Sequence, residues 1–145
     1  MEVGTLEKLP AWASELLETA RVAHLGLLDG DGRPRVLPVT YAVVGGAIWS
    51  AVDQKPKRVP GDELARVRWL RASPRAALTV DRYDDDWSKL AWVQVLVSVS
   101  IEPVSEDVVD ALARRYPAYI DRPPGGPLLR LSPKRVLWWC AMDTR

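Results

Sequence analysis

The sequence contains no phenylalanine, and it has little histidine, cysteine or net charge. The single cysteine, Cys140, cannot form an internal disulfide, and one cysteine with one histidine, His24, argues against zinc and other histidine-based metal sites. A net charge of +1 lacks the basic excess of proteins that bind nucleic acid over a whole surface. No apolar run approaches the length of a membrane span, and the first residues lack the pattern of a secretory signal. These absences predict a cytoplasmic protein with no metal, no nucleic-acid partner and no membrane span.

Common catalytic motifs are missing as well. The chain has no Gly-x-Ser-x-Gly elbow, no Gly-x-Gly-x-x-Gly fingerprint and no Walker loop. His24 lies among apolar residues of a predicted strand, so we interpret it as a packed or hydrogen-bonded core residue. Cys140 is interpreted as a small buried hydrophobic residue. In the acidic run Asp84–Asp86, Asp84 and Asp85 are interpreted as part of a solvated loop.

The patterning predicts one mostly β domain over residues 1–145. The strongest signal is the strict alternation from Ala91 to Ile101, which is typical of a long half-buried strand. Hairpins without serial strand–helix–strand units favour a mostly antiparallel barrel with peripheral helices. Helices are predicted at Pro10–Arg21, Gly61–Ala72 and Ser105–Tyr116, and strands at Val22–Asp29, Arg35–Val44, Ala47–Val52, Ala76–Tyr83, Ala91–Ile101 and Leu128–Met142, the last interrupted at Ser132-Pro133.

Two local signals refine the strand predictions. Pro38 lies inside a predicted strand, and proline cannot donate to a sheet ladder. That strand is therefore at an edge, bulged, or open to a ligand. Gly45-Gly46 separates two β-rich runs and predicts a two-residue hairpin turn.

A cluster of cations follows the strand that ends near Ser50, in the stretch SAVDQKPKR. Taken alone, such a cluster is a solvated turn. Here Lys55 and Lys57 flank a proline, a hydroxyl lies nearby, and a helix begins soon afterwards with its positive dipole end. Together these features indicate a phosphate-binding turn.

The seven tryptophans are a second group of candidate binding residues. Because aromatic side chains bury large areas, we expect most of them in the core or in an interface. Trp87 and Trp92 bracket the start of the long strand, and Trp92 shares a strand face with Gln94 and Ser98. A flat heteroaromatic ligand would suit such a wall. The tryptophans on or beside predicted strands are Trp49, Trp87, Trp92, Trp138 and Trp139.

Four stretches resemble a known family: AHLGLLDGDGRPRVLPVTYAV, IWSAVDQKPKR, LRASPRAALTVDRYDDDWSKLAWVQV and RVLWWCA. They are similar to the split-barrel flavin and deazaflavin proteins related to pyridoxamine 5'-phosphate oxidase. Within these, the chain is most similar to a small actinobacterial group of coenzyme F420-dependent enzymes. The resemblance covers most of the chain from His24 onward.

The resemblance implies a six-stranded split barrel of the FMN-binding type that forms a homodimer, with two cofactor sites at the subunit interface. In relatives, the strand matching RVLPVTY passes its backbone along the cofactor ring, and the end of the next strand with its turn binds the phosphate. The implied contacts are Val36, Leu37, Pro38 and Val39 for the ring, Ser50, Ala51, Lys55, Lys57 and Arg58 for the phosphate, and Trp87, Lys89 and Trp92 from the partner subunit.

The chain departs from the family in two places. It has no Arg-x-His near its carboxyl end, so pyridoxamine 5'-phosphate oxidase activity is not expected. Flavin-binding relatives usually carry an arginine in the phosphate turn and a glutamine or arginine at the position of Trp92. The lysine and tryptophan found here favour coenzyme F420 over FMN.

The function implied is an F420-dependent oxidoreductase, in which the reduced deazaflavin donates a hydride to a small organic substrate. Since the cofactor supplies the chemistry, no catalytic side chain is expected. Three alternatives remain open: an FMN-binding oxidase-like protein or flavin reductase, a non-catalytic F420 carrier, and a dimer with a vestigial site.

Overall fold

The computed structural model describes residues 2–52 and 61–141. Within these ranges eight strands form one antiparallel sheet, accompanied by four helices. The elements are β1 (Glu2–Val3), α1 (Ala11–Thr19), β2 (Ala23–Leu28), β3 (Pro34–Val39), β4 (Ala42–Val44), β5 (Ala47–Ala51), α2 (Gly61–Ala72), β6 (Arg75–Arg82), β7 (Ala91–Glu102), α3 (Glu106–Arg115), α4 (Ala118–Asp121) and β8 (Leu128–Cys140).

The sheet runs in the order β3-β2-β6-β7-β8-β5-β4, and β1 pairs with β8 beside this path. Its two edge strands, β3 and β4, are consecutive in the chain and are joined by Thr40 and Tyr41 alone. Two residues can span only about 11 Å between flanking Cα atoms. The sheet therefore curls until its edges approach each other, without a ladder between them.

The strand count differs from the six implied by the resemblance. Six strands have five or more residues, and the two additional strands are β1, with two residues, and β4, with three. The short β4 arises because the predicted strand Arg35–Val44 is broken at Thr40 and Tyr41. Tyr41 is fully buried there, and its burial directs the chain from one edge of the sheet to the other.

Hydrogen bonds hold this two-residue link in place. The Ser50 hydroxyl donates to the Thr40 carbonyl oxygen at 2.7 Å, and the Thr40 and Tyr119 hydroxyls are 2.8 Å apart. The Tyr41 amide donates to the Tyr116 hydroxyl at 3.2 Å. The carboxyl end of β3 is thereby fixed beside the carboxyl end of β5.

The Tyr41 side chain also fixes the two-residue link to the core. Its hydroxyl donates to the Leu17 carbonyl at the end of α1. Burial raises the pKa of Tyr41 to about 12, although the nearby Arg115 guanidinium opposes that shift. Arg115 lies over the Tyr41 ring, 4.8 Å from its centroid.

The main core lies on the concave side of the sheet. The odd positions of β7 from Ala91 to Val99 are all buried, which confirms the face predicted from their alternation. Helix α1 adds Ala13, Leu16 and Leu17 to the same cluster. A smaller cluster packs α3 against β4, β5 and the start of β8.

Several sequence predictions are confirmed at the level of single elements. Helix α2 begins and ends where predicted, and β3 is an edge strand, one of the three possibilities that Pro38 left open. Gly45 and Gly46 both have positive φ, 62° and 77°, and form the turn between β4 and β5. Such turns match the twist of the flanking strands. Ser105 occupies the N-cap of α3, although its side chain makes no capping hydrogen bond.

Other predictions need correction. The last strand is not interrupted at Ser132-Pro133: β8 is continuous, and its register shift leaves Lys134 without a Cα partner in β7. This bulge at Lys134, one residue after Pro133, accommodates the proline in the strand. His24 is exposed on β2 instead of packed in the core, because alternation turns it away from buried Ala23 and Leu25. Cys140 is half-buried, not buried.

Candidate cofactor site

The predicted ring-binding strand, β3, presents two different faces. Val36 is 67% exposed and Pro38 is also exposed, whereas Leu37 is half-buried and Val39 is buried. As an edge strand, β3 hydrogen-bonds to β2 on one side only, so alternate peptide groups point away from the sheet. The strand thus offers apolar side chains on one face and backbone donors and acceptors along its open edge.

The predicted phosphate contacts fall partly inside the described ranges. Ser50 and Ala51 are both buried, and the Ser50 hydroxyl holds the Thr40 link. In this structure Ser50 therefore has a structural role, and its contact with a phosphate stays a prediction. The predicted contacts Lys55, Lys57 and Arg58 lie outside the described residues.

The residues before β7 form a short, exposed turn. Trp87–Lys89 is a 3-10 turn whose Asp86 carboxylate accepts hydrogen bonds from the Ser88 amide at 3.1 Å and the Ser88 hydroxyl at 2.7 Å. Trp87 is 69% exposed, and Lys89 is exposed. The turn therefore leaves the Trp87 ring and the Lys89 ammonium group exposed to solvent.

Trp92 lies in an uncovered aromatic pair. It is directly opposite Trp139 of β8, and the two are 37% and 45% exposed. Trp138 is buried and Trp12, Trp49 and Trp69 pack against the core clusters, as predicted for most tryptophans. Trp87 and this pair are exposed in the single chain, and their place in an interface stays a prediction. Sequence analysis placed Trp139 beside a strand but gave it no role, since the cross-strand register with Trp92 depends on the β8 bulge.

We use the name open face for the convex side of the sheet that bears Trp92, apart from the part that α3 covers at β4, β5 and the start of β8. None of its residues is buried, and it carries exposed Val36, Leu28, Trp92 and Trp139. An uncovered apolar surface of this kind marks an interaction site. By register the open face comprises Pro34, Val36 and Pro38 of β3, His24, Gly26 and Leu28 of β2, Arg75, Ala77, Thr79 and Asp81 of β6, Trp92, Gln94, Leu96, Ser98 and Ser100 of β7, and Arg130, Ser132, Arg135, Leu137 and Trp139 of β8.

The predicted ring contacts do not converge within one chain. Val36 and Ala77 are both paired with Gly26, so they lie at the same height in the sheet. Trp92 is paired with Asp81, which lies four residues further along β6. Three strand spacings also separate β3 from β7. These offsets place Val36 and Trp92 roughly 20 Å apart. A single flat ring cannot contact both in one subunit.

A groove of about 790 Å³ crosses the other end of the open face. Four cations line it, Arg35, Arg75, Lys134 and Arg135, and no acidic residue is among the described lining residues. We call it the basic groove. Sequence analysis missed it because its cations come from three separate strands and meet only through the sheet order.

Arg35 is positioned by the turn between β2 and β3. Its guanidinium is 3.4 Å from the Asp29 carboxylate and lies 5.0 Å from the centroid of the Trp69 ring. The same carboxylate accepts the amides of Arg33 at 3.0 Å and Asp31 at 2.9 Å. The Arg33 amide above all, with the Asp31 amide and Arg35, lowers the pKa of Asp29. Asp29 therefore stays ionised and holds Arg35 at the rim of the basic groove.

Other kinds of site find no support in the described part of the chain. No group of three or more histidine, cysteine or acidic side chains is arranged to bind a metal within residues 2–52 and 61–141. Among the helices described, none has the length and apolar content needed to cross a membrane.

Comparison with solved structures identifies the fold. A conserved hypothetical protein of Mycobacterium tuberculosis superposes with a TM-score of 0.74 at 20% identity, over 92% of this chain and 85% of that one. An F420 reductase gives 0.65 at 21% identity, over 90% and 98%. A protein of Clostridium acetobutylicum described as belonging to the pyridoxinephosphate oxidase family gives 0.61 at 16% identity, over 91% and 88%.

Proteins with other ligands share this fold. A heme-binding protein of Mycobacterium smegmatis has a TM-score of 0.68 at 21% identity, and this chain, over 94% of its length, covers 57% of it. An FAD-binding protein of Mesorhizobium loti has 0.63 at 20% identity, over 95% of both chains. No family model and no curated protein matches the sequence. Identities at this level identify an architecture and not a ligand. The chain has the split-barrel fold of the pyridoxine-phosphate-oxidase-like proteins.

Proposed function

We propose that this protein is an F420-dependent oxidoreductase that works as a homodimer and reduces a small organic substrate, in the cytoplasm. The fold is shared with an F420 reductase and with flavin-binding proteins, which supports a flavin-type ligand. The choice of F420 rests on the lysines of the predicted phosphate turn and on Trp92, which stand where flavin-binding relatives carry arginine and glutamine or arginine.

The observation that carries the proposal is the position of the two predicted ring contacts on one uncovered face. Val36 and Trp92 lie at opposite ends of it, and Thr79 is level with the midpoint between them. A two-fold axis parallel to the open face, lying above the point between His24 and Thr79 and at right angles to the line from Val36 to Trp92, exchanges the two positions. Closed dimers of identical chains use self-complementary interfaces of this kind. The Trp92 of one subunit is then placed over the Val36 of the other.

The same operation builds a ring-binding cleft. Trp139, one strand beyond Trp92, is carried over the partner copy's β3. A ring between the subunits would have the β3 backbone at its polar edge and tryptophan on its apolar side. Apolar walls with a few fixed polar groups are what ligand sites of this size provide.

The phosphate is assigned to the other end of the same strand. The Thr40–Ser50 hydrogen bond holds the carboxyl end of β3 beside β5, which leads into residues 53–60. Lys55 and Lys57 follow in that segment, with Arg58 as a further cation. A cofactor lying along β3 with its phosphate towards this segment has its ring beside Val36 and Pro38.

The side chains of this chain bind and orient in the proposed reaction. Lys55 and Lys57 neutralise the phosphate, the β3 edge fixes the ring, and the tryptophans exclude water from one side of it. When bound, the reduced deazaflavin supplies a hydride, and a proton from water completes the two-electron reduction of the substrate. No protein acid or base is required, in keeping with the lack of a catalytic motif in the sequence.

Titration of the purified protein with F420 and with FMN, followed by fluorescence, tests the proposal. Tighter binding of F420 supports it, and tighter binding of FMN selects the flavin alternative. Because a heme-binding protein shares the fold, hemin is titrated in parallel by absorbance. Binding of hemin alone, or of no cofactor, overturns the proposal.

Turnover then separates an enzyme from a carrier. Reduced F420 is incubated with the protein and a panel of activated alkenes and quinones, and its oxidation is followed by absorbance. Oxidation above the rate without protein supports an oxidoreductase. Tight F420 binding with no oxidation across the panel favours the non-catalytic carrier.

A further inference from the structure

We propose that the basic groove binds the anionic group of the substrate, and that the substrates are molecules with an apolar body and a carboxylate, phosphate or sulfonate. This inference names the substrate class of the proposed oxidoreductase and rests on that function. The binding of such anions to the groove can be measured without any cofactor.

The first argument is the charge of the groove. No carboxylate is among the described residues that line it, and Arg35 forms an ion pair with Asp29. Among the described residues, the side chains of Arg75 and Lys134 form no hydrogen bond or ion pair. Like charges gathered in a concave surface raise the local positive potential and attract an anion.

The second argument is the floor between the cations. It consists of sheet residues with short or apolar side chains, among them Leu28, Val36 and Leu96. Gly26 adds to this, because the absence of a side chain leaves β2 low between its neighbours. A purely polar anion would leave this floor in contact with water. An anion with an apolar body covers it and gains hydrophobic free energy.

The third argument is position. Val36 belongs both to the basic groove and to the predicted ring-binding strand. The groove lies at the amino end of β3, whereas Ser50, which precedes the predicted phosphate turn in the sequence, bonds to Thr40 at its carboxyl end. A ligand anchored by the groove cations would therefore extend towards the cofactor ring from the side opposite the cofactor phosphate.

The groove can be probed with a matched pair of dyes. The probe is 1-anilinonaphthalene-8-sulfonate, and its neutral counterpart is N-phenyl-1-naphthylamine, which has the same aromatic body. Each is titrated into wild type, Arg75→Ala, Lys134→Ala and the double variant. We expect the sulfonate to bind about threefold to tenfold more weakly for each charge removed, with a steeper salt dependence in wild type. The affinity of the neutral dye should change less than twofold.

Two further variants control for charge and fold. Arg122→Ala removes an exposed arginine that does not line the groove, and it should leave sulfonate binding unchanged. Arg75→Lys keeps the charge and should restore most of the affinity lost in Arg75→Ala. Equal sulfonate affinity in wild type and the double variant overturns the proposal, as does an equal loss of the neutral dye.

Three further measurements distinguish this proposal from its alternatives. Sulfonate binding that disappears as the chain dimerises, measured by dilution alongside sedimentation, means that the partner subunit fills the groove and overturns the proposal. Displacement of the dye by F420 but not by decanoate assigns the groove to the anionic tail of the cofactor and likewise overturns it. Failure of F420 to bind while the groove variants behave as expected refutes the proposed function and leaves the anion site standing.

Discussion

Alkaline pH should destabilise this protein through Tyr41. Its side chain is fully buried, and its hydroxyl donates to the Leu17 carbonyl oxygen. Burial raises the pKa of Tyr41 to about 12, from the ordinary tyrosine value of 10.0. Between these values the unfolded chain releases a proton that the folded chain retains. The free energy of unfolding therefore falls as pH rises from 10 towards 12.

The size of the effect follows from the pKa shift. One pKa unit corresponds to about 1.4 kcal/mol, so the Tyr41 contribution falls by roughly 0.4 kcal/mol at pH 10 and about 1.4 kcal/mol at pH 11. The full loss, beyond pH 12, approaches 2.7 kcal/mol. Below pH 9 Tyr41 contributes no pH dependence.

Urea denaturation of wild type and Tyr41→Phe at pH 8, 10 and 11 isolates this contribution. The phenylalanine keeps the ring beneath Arg115 but leaves the Leu17 carbonyl without its donor, which should cost about 1–3 kcal/mol at pH 8. Other ionising groups are common to both proteins and cancel in the difference. The stability gap between the two should narrow by about 1.4 kcal/mol at pH 11. A gap that stays constant from pH 8 to pH 11 would refute the assignment of a raised pKa to Tyr41.

Three other predictions concern the site. Lys55→Ala and Lys57→Ala should each weaken F420 binding by about tenfold in a salt-dependent way, measured by fluorescence titration, and unchanged affinity in both would refute the phosphate assignment. His24→Lys should shift the dimer towards monomer in sedimentation, because it places two ammonium groups at the proposed two-fold axis, whereas His24→Gln should not; a stable dimer in the lysine variant rules out that axis. Asp29→Asn should weaken sulfonate dye binding by releasing Arg35, without changing F420 affinity; equal dye binding would show that Asp29 does not position Arg35 for the groove.

The sequence predicted elements better than it predicted how they meet. The alternation in β7, the glycine turn before β5 and the bounds of α2 are local signals, and all three agree with the structure. The break at Tyr41 was missed because a tyrosine among β-branched residues suits a strand. Only its hydrogen bond to α1, distant in sequence, shows why the strand ends there.

The candidate site was predicted unevenly for the same reason. Pro38 is a local signal for an edge strand, because proline has no amide proton to donate to a neighbouring strand. The basic groove has no such local signal. Arg75 and Lys134 lie on strands that are not neighbours, and the strand between them, β7, supplies no cation to the groove. Their proximity depends on the sheet order and on the bulge that repositions Lys134.

The topology of the sheet also explains why the proposed cofactor site needs two chains. The curled sheet buries its concave side with α1 and covers part of its convex side with α3, which leaves the open face uncovered. The residues with ligand-binding character are then spread over a surface and not gathered in a cavity. Val36 and Trp92, at opposite ends of that surface, become neighbours only across a symmetry axis. A dimer on the open face would therefore cover exposed apolar side chains and complete two ligand sites in a single step.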